Sequence, residues 1–479
     1  MVSKNTPLPI VLDGTKKEPL YQQIITTMRE AILQGRLPEG EAVLSTRELA
    51  KRLGVSRKTV IRSYEVLLAQ GFLSVNQDKV TVVTVPNETT LVPAAPAEDL
   101  FCFEQNLSNY AKQIMELGCS EFDAEVPPAE HVPFDAWRRY LLSHLNRSNI
   151  LLRPERDPLG YKPLRAAISH YLGRVHSVTC TAEQIAILPG GVPTLDLIAR
   201  LFVNAGDNVV VEEPGSRSAK RVFLTYGAQL IPIAIDENGL RVELLDAIIE
   251  TVKLVYVTPS HHNPTGAVLS ASRRQALIEW ANRKGALIIE SHYDSEYNYT
   301  TRPLPALQAL SKTNSVIYFS TFWKLLGPIL RLGFVVVPEP MIPLIKSARY
   351  SDIDALPLLD QCALADFISE GHLERHIRRT EKVYAQRRRI LVTELIGKLG
   401  RRVRLAKESA GLQQYIKLNL NMTNEKVLEC AKIADLPLLS LAPWYLDKTN
   451  EGEFLIPFVD MSEEHLKTSI NYFAELVKG

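Results

Sequence analysis

The segment "TFWKLLGPILRLG" (residues 321–333) decides how the chain is read. It places Lys324 directly after the bulky Trp323 and seven residues ahead of Arg331. A lysine amine near other cations loses its proton readily enough to condense with an aldehyde. An arginine at the end of the same segment can fork onto a phosphate. Such a pair alone is more often a surface lysine beside a structural arginine, so the surrounding segments must decide.

Those segments share a pattern. The β-branched runs "NVVVEE" (208–213), "LVYVTP" (254–259), "ALIIES" (286–291) and "SVIYFS" (315–320) alternate with helical stretches from about residue 121 onward. The alternation predicts βα units and a mostly parallel sheet, an α/β fold class. "LPGGV" (188–192) sets Gly190 and Gly191 after a strand and before the helical "PTLDLIARLF". Strand, glycine turn and helix N-terminus together make a phosphate cradle. "PSHHNPTG" (259–266) follows another strand and carries the turn-forming run Asn263-Pro264-Thr265-Gly266.

The first 85 residues read differently. They hold twelve Lys/Arg against eight Asp/Glu, a net +4 in a chain whose formal charge is +1. Within 44–62 there are six basic residues and one acid, a patch suited to a polyanion. Apolar spacing predicts helices over 21–35, 45–54 and 56–71, with Ser45 and Glu48 at capping-box spacing and Ser56 as an N-cap. "FLSVNQDKVTVVTV" then predicts a β-hairpin. Two short helices meeting at Gly54 have helix-turn-helix spacing. Arg57 and Lys58 open the second of them, followed by Arg62, and cations there oppose the helix dipole. Double-stranded DNA justifies that placement, with Arg57 reading guanine and Ser56 and Thr59 meeting phosphate oxygens.

"LSTRELAKRLGVSRKTVIRSYEVLLAQGFL" resembles the winged helix-turn-helix of the GntR family over 20–75. The resemblance implies DNA contacts from Arg47, Arg57, Thr59 and their neighbours. Leu44 stands where that family usually has proline, and "NQDKVTVV" lacks the glycines that shape the wing. Further on, "DPLGYKPLRAAISHYL" (157–172), "EEPG" (212–215), "TPSHHNPTG" (258–266), "ESHYDSEYNY" (290–299), the opening segment and "GHLERHIRR" (371–379) follow in the order of the MocR-type GntR regulators. In those proteins a winged helix-turn-helix is fused to a fold type I aminotransferase-like domain. The resemblance implies a mostly parallel central sheet with a smaller C-terminal α+β subdomain. It divides the chain into a DNA-binding domain (1–85), a linker (86–120) containing a short helix over 107–118, and an effector and dimerisation domain (121–479).

It also implies pyridoxal phosphate. Lys324 matches the Schiff-base lysine; Arg331, Thr321 and the backbone amides around Gly190 and Gly191 match phosphate ligands; Asn263 and Tyr293 match groups that bond the ring oxygen. Several positions depart from the family pattern. Ser291 replaces the acid that pairs with the pyridine nitrogen, Ser216 the stacking aromatic, Gly191 a hydroxyl residue and Trp323 a small serine. In "PFVDMSEEH" (457–465), Asp460 replaces the arginine that clamps a substrate carboxylate. The leading expectation is a homodimeric, domain-swapped regulator that senses pyridoxal phosphate or another small-molecule effector. An active aminotransferase with an accessory DNA module and a cofactor-free constitutive repressor are the alternatives.

Other features bound the reading. Hydrophobic residues make up 46% and charged residues 23%, globular values for a chain of 479 residues. No apolar run reaches the roughly 18 residues a membrane span needs, and residues 1–14 lack a signal-peptide core, so a cytoplasmic protein is expected. Cys102, Cys119, Cys180, Cys362 and Cys430 contain no CxxC and predict free thiols. "HLERH" (372–376) lacks the order and third ligand of a metal site, and no metal is expected.

Overall fold

A computed structural model of the chain describes residues 18–77, 79–85, 127–146, 157–292, 296–299, 304–351, 356–406, 411–446 and 451–478, together with Ile10, Leu12 and Asp13. The expected linker, the helix over 107–118 and Tyr293 lie outside the described residues. Two compact units span 1–107 and 108–479.

In the first unit, helices Leu20–Leu33, Thr46–Leu53 and Arg57–Ala69 precede a hairpin of β1 (Leu73–Val75) and β2 (Thr81–Val83). Ser45 and Glu48 form the capping box read from the sequence. Gly54 ends the second helix at φ 67°, a left-handed position that favours glycine. Ile24, Met28, Leu49, Val60 and Leu67 are fully buried from three helices and form the core. Tyr64 donates its hydroxyl to the Leu44 carbonyl at 2.8 Å, tying the third helix to the turn before the second. The hairpin closes without glycine: Asn76 Oδ1 accepts from the Val80 amide at 2.9 Å, and Lys79 takes the left-handed position.

The second unit is built on an eight-stranded sheet of order β3-β10-β9-β8-β7-β4-β5-β6. Its strands are β3 (Ile185–Leu188), β4 (Asn208–Glu213), β5 (Gln229–Asp236), β6 (Gly239–Leu240), β7 (Val252–Val257), β8 (Leu287–His292), β9 (Val316–Thr321) and β10 (Gly333–Val336). β5, β4, β7, β8 and β9 run parallel; β10 runs antiparallel to both β9 and β3. Both faces are covered. Val211 and Ile317 pack with Leu195 and Ile198 of helix Gly191–Phe202, while Val255 and Ile288 pack with Leu277 and Trp280 of helix Ala271–Lys284. Two covered faces explain why these strands read as apolar runs rather than as alternation.

A four-stranded antiparallel sheet of order β11-β12-β14-β13 completes the unit, with β11 (Val403–Leu405), β12 (Gln413–Leu418), β13 (Leu439–Ser440) and β14 (Glu453–Pro457). The chain leaves β4 for β5 on one side and later returns to place β7 on the other. Ligands of such sheets bind outside the carboxyl ends of the strands at this switch point.

Candidate functional site

Two surfaces are in question, one in each unit. In the first, Arg57 and Lys58 occupy the opening turn of helix Arg57–Ala69, which contains no acid. Arg47, Ser56, Arg57, Lys58 and Arg62 are exposed and Thr59 is half-buried. Ser56 accepts from the Thr59 amide at 3.2 Å, and the two hydroxyls lie 2.8 Å apart. Ser56 thus caps the helix as the sequence predicts, and Thr59 joins it in starting that helix. Arg62 lies 4.1 Å from the centroid of the Tyr21 ring, which braces the third helix on the first.

In the second unit, the carboxyl ends of β4, β7, β8 and β9 converge. Gly333 is paired with Leu188 on one side and Thr321 on the other. A Cβ on Gly333 would fall 2.9 Å from the Ser320 carbonyl and 3.2 Å from the Gly190 Cα, so only glycine permits this close approach. The approach brings the glycine turn beside the lysine segment. Gly190, at φ 112°, caps helix Gly191–Phe202, whose first-turn amides face outward from the helix end. Lys324 is 5% exposed, on the short helix Trp323–Leu326. Thr321 Oγ1 accepts from the Trp323 amide at 3.2 Å, and Arg331 stacks on Trp323 at 4.8 Å. His376 donates from Nε2 to the Leu325 carbonyl at 2.7 Å, fixing the residue next to Lys324 from helix His372–Leu399. That bond gives "HLERH", which the family resemblance implies is part of a structural helix, a specific bracing contact.

The far end of the crevice is lined by hydroxyls. Ser291, at the end of β8, and Ser216 set their hydroxyls beside the buried phenol of Tyr256, where they partly offset the effect of burial. Burial pushes that phenol up to about 12. Ser216 also caps helix Arg217–Thr225, accepting from the Ala219 amide at 3.3 Å. Tyr256 was missed by the sequence reading, because a tyrosine within "LVYVTP" is indistinguishable from a core residue. Glu212 was missed as well. It accepts from the Thr258 amide at 3.0 Å and hydroxyl at 2.6 Å, and Thr258 Oγ1 accepts from the Asn263 amide at 3.2 Å. Asp460 is exposed beyond β14, near enough to His131 and Tyr384 for its charge to act on both.

Burial pushes the Glu212 carboxyl up to about 8, against the opposing bonds from Thr258 and the charge of Lys220. The folded chain thus keeps a proton that the unfolded chain releases near 4.5. This contribution to stability is whole below that value and is lost as pH rises through about 8. Buried histidines such as His262, pushed down to about 3, act in the opposite sense, but only below their ordinary 6.5. Between pH 6.5 and 8, denaturant unfolding of the wild type should therefore show falling stability. The slope should be at most about 1.4 kcal/mol per pH unit, and Glu212→Gln should flatten it. An unchanged slope in the variant would show that Glu212 is already ionised at neutral pH.

A winged helix and an aminotransferase-like fold in one chain define a DNA-binding transcriptional regulator with an aminotransferase-like domain. A family profile for bacterial regulatory proteins of the gntR family matches residues 20–83, and one for aminotransferase class I and II matches 116–433. The chain is 31% identical over 467 residues to the "Probable rhizopine catabolism regulatory protein MocR" of Rhizobium meliloti, covering 96% of this chain and 94% of the relative. It is 28% identical to the "HTH-type pyridoxine biosynthesis transcriptional regulator PdxR" of Corynebacterium glutamicum, covering 92% and 90%. Among solved structures, the Pyrococcus horikoshii kynurenine aminotransferase in complex with PMP superposes with a TM-score of 0.70 at 25% identity, covering 80% of this chain and 98% of that one. The chain belongs to the GntR family of regulators, in its MocR type. The aminotransferase class I and II fold typically binds pyridoxal phosphate. Among the described residues no helix is long and apolar enough to cross a membrane.

Proposed function

We propose that the aminotransferase-like domain binds pyridoxal phosphate, or a ligand of the same aldehyde-and-phosphate class, as a signal for the DNA-binding unit rather than as a catalyst. The observation that carries this reading is the trio of hydroxyls of Ser291, Tyr256 and Ser216. Of these, Ser291 stands where the family pattern has the acid that pairs with the ring nitrogen, and Ser216 where it has the stacking aromatic. The cradle around Gly333 and Gly190 supports the fit of a phosphate, since a Cβ at Gly333 would close the approach.

When bound, pyridoxal phosphate supplies an aldehyde carbon that takes amines and a ring that accepts electron density. Lys324, buried and braced through His376, is the amine for the aldehyde. The amides at Gly190 and Gly191, with Thr321 and Arg331, take the phosphate, where the helix dipole adds to the attraction. Asn263 and Tyr293 take the ring oxygen. The Ser291 hydroxyl could hydrogen-bond the ring nitrogen of the bound cofactor but would not balance its positive charge, which would weaken the ring as an electron sink. Asp460 repels a substrate carboxylate at the place where the family supplies an arginine. The regulator acts in the cytoplasm as a homodimer, each winged helix lying against its partner's large domain and the pair reading two half-sites. Arg47, Arg57 and Lys58 are the principal DNA contacts.

Protein supplied with pyridoxal phosphate should acquire a visible absorption band that Lys324→Ala abolishes, with turnover of common amino acids near background. Absence of the band in the wild type would favour a cofactor-free repressor. Rapid transamination would favour a working enzyme.

A further inference from the structure

On the opposite face of β8 from Ser291, His292 meets His176, which follows helix Lys162–Val175, and Glu296 from the segment beyond the strand. We propose that His176, His292 and Glu296 form a binding site for one divalent transition-metal ion of the zinc class. The ligand atoms of all three lie within 4.8 Å of one another. The two imidazoles stand edge to face with centroids 4.1 Å apart, and His292 Nε2 lies 3.7 Å from Glu296 Oε1. The three side chains come from two segments of the chain and converge below the surface, with His176 9% and His292 6% exposed and the Glu296 side chain 6% exposed.

A second observation points to a ligand. Nε2 of His176 is buried without a hydrogen-bond partner. Leaving a buried polar nitrogen unsatisfied is costly, and such atoms call for an explanation, a bound ion among them. A cation between the three groups would satisfy that nitrogen.

The donor set narrows the ion. Two imidazoles and one carboxylate suit zinc and its neighbours in the transition series better than magnesium or calcium, which favour oxygen. Three protein ligands leave a fourth position open. Tyr171, Tyr318, Ser320 and Thr321 pack beside His176 and Glu296 among apolar side chains, leaving no water-sized space there, so a fourth ligand would need a small shift of these groups. An ion held there would pin the end of β8, whose other face carries Ser291. The sequence does not signal the site, because His176 stands 116 positions from His292 and only the fold joins them.

The test uses tag-free, full-length protein stripped with a chelator, loaded with zinc, desalted and assayed for metal. One equivalent retained per chain is expected, with a raised thermal midpoint. Loading with cobalt(II) instead should give visible d–d bands of a low-coordinate nitrogen–oxygen site. His176→Gln and His292→Gln should lose the bound equivalent, and Glu296→Gln should weaken it by about tenfold or more. His465→Gln, which removes an exposed histidine beside Asp435, should change nothing. Wild-type protein that retains no zinc and shows no cobalt bands overturns the proposal, whether or not the variants fold. Full retention by folded His176→Gln or His292→Gln overturns it equally.

Discussion

Arg274→Met is expected to lower the unfolding free energy of the second unit by about 3–5 kcal/mol, the usual cost of removing one partner from a buried charged network. Arg274 is 1% exposed and spends its guanidinium on three carbonyls: Nε on Leu269 at 2.9 Å and the two terminal nitrogens on Pro305 at 2.9 Å and Pro259 at 2.7 Å. Glu290, equally buried, accepts from the amides of Leu307 at 2.8 Å and Gln308 at 2.9 Å. Burial pushes the Glu290 carboxyl up, and the charge of Arg274 pulls it back. Methionine nearly preserves the volume of the arginine stem but leaves the carbonyls of buried Leu269 and Pro259 and of exposed Pro305 without this donor, and the carboxyl without a counter-charge. Arg274→Lys should fall between, since a point charge cannot reach three separated acceptors. Denaturant unfolding followed by tryptophan fluorescence reads both, because Trp280 lies on the same helix. A loss below about 1 kcal/mol for Arg274→Met would mean that water replaces the guanidinium. Because Pro259 opens the turn that carries Asn263, the variant should also bind pyridoxal phosphate more weakly.

Arg57→Ala should cost about 1–3 kcal/mol of operator affinity, roughly a 5- to 150-fold loss, with relaxed preference at one base position. Lys58→Ala should weaken specific and non-specific sites alike and reduce the salt slope by about one. Fluorescence anisotropy over a salt series separates the two. Stability supplies an internal control. Both cations stand in the first turn of their helix, where they oppose its dipole. Neither forms a salt bridge among the described residues, so Arg57→Ala should leave the thermal midpoint unchanged or slightly raised. Loss of DNA binding together with loss of fold would mean that Arg57 is structural. Unchanged affinity would mean that it does not read a base.

Much of this was legible in the chain. The run "NVVVEE" coincides with β4, and the other three apolar runs fall on β7, β8 and β9 within a residue or two. Parallel strands covered on both faces need uninterrupted β-branched residues, and that composition shows without any partner. The three N-terminal helices were equally readable, because Ser45, Gly54 and Ser56 satisfy local backbone groups at the helix ends. The edge strands β3 and β10 and the small antiparallel sheet were less legible, since their pairing joins residues far apart, as Gly333 with Leu188 shows.

The site divides along the same line. The sequence alone determined the residue types that carry chemistry in a fixed local frame: a lysine and arginine on one segment, glycines before a helix, cations at the start of a recognition helix. The departures at Ser216, Ser291 and Asp460 came from setting the motifs beside the resembled family's pattern, which compares residues position by position along the chain. Only the tertiary structure decided what those replacements touch. Ser291 and Ser216 lie 75 positions apart, yet both hydroxyls come beside the one phenol of Tyr256. Glu212 reaches Thr258 across adjacent strands, and His376 reaches the residue beside Lys324 from another helix. Periodicity and capping act over a few residues, so they are written in the order of the chain. Burial, hydrogen bonds between strands and the gathering of His176 with His292 arise from packing, which sets distant residues side by side.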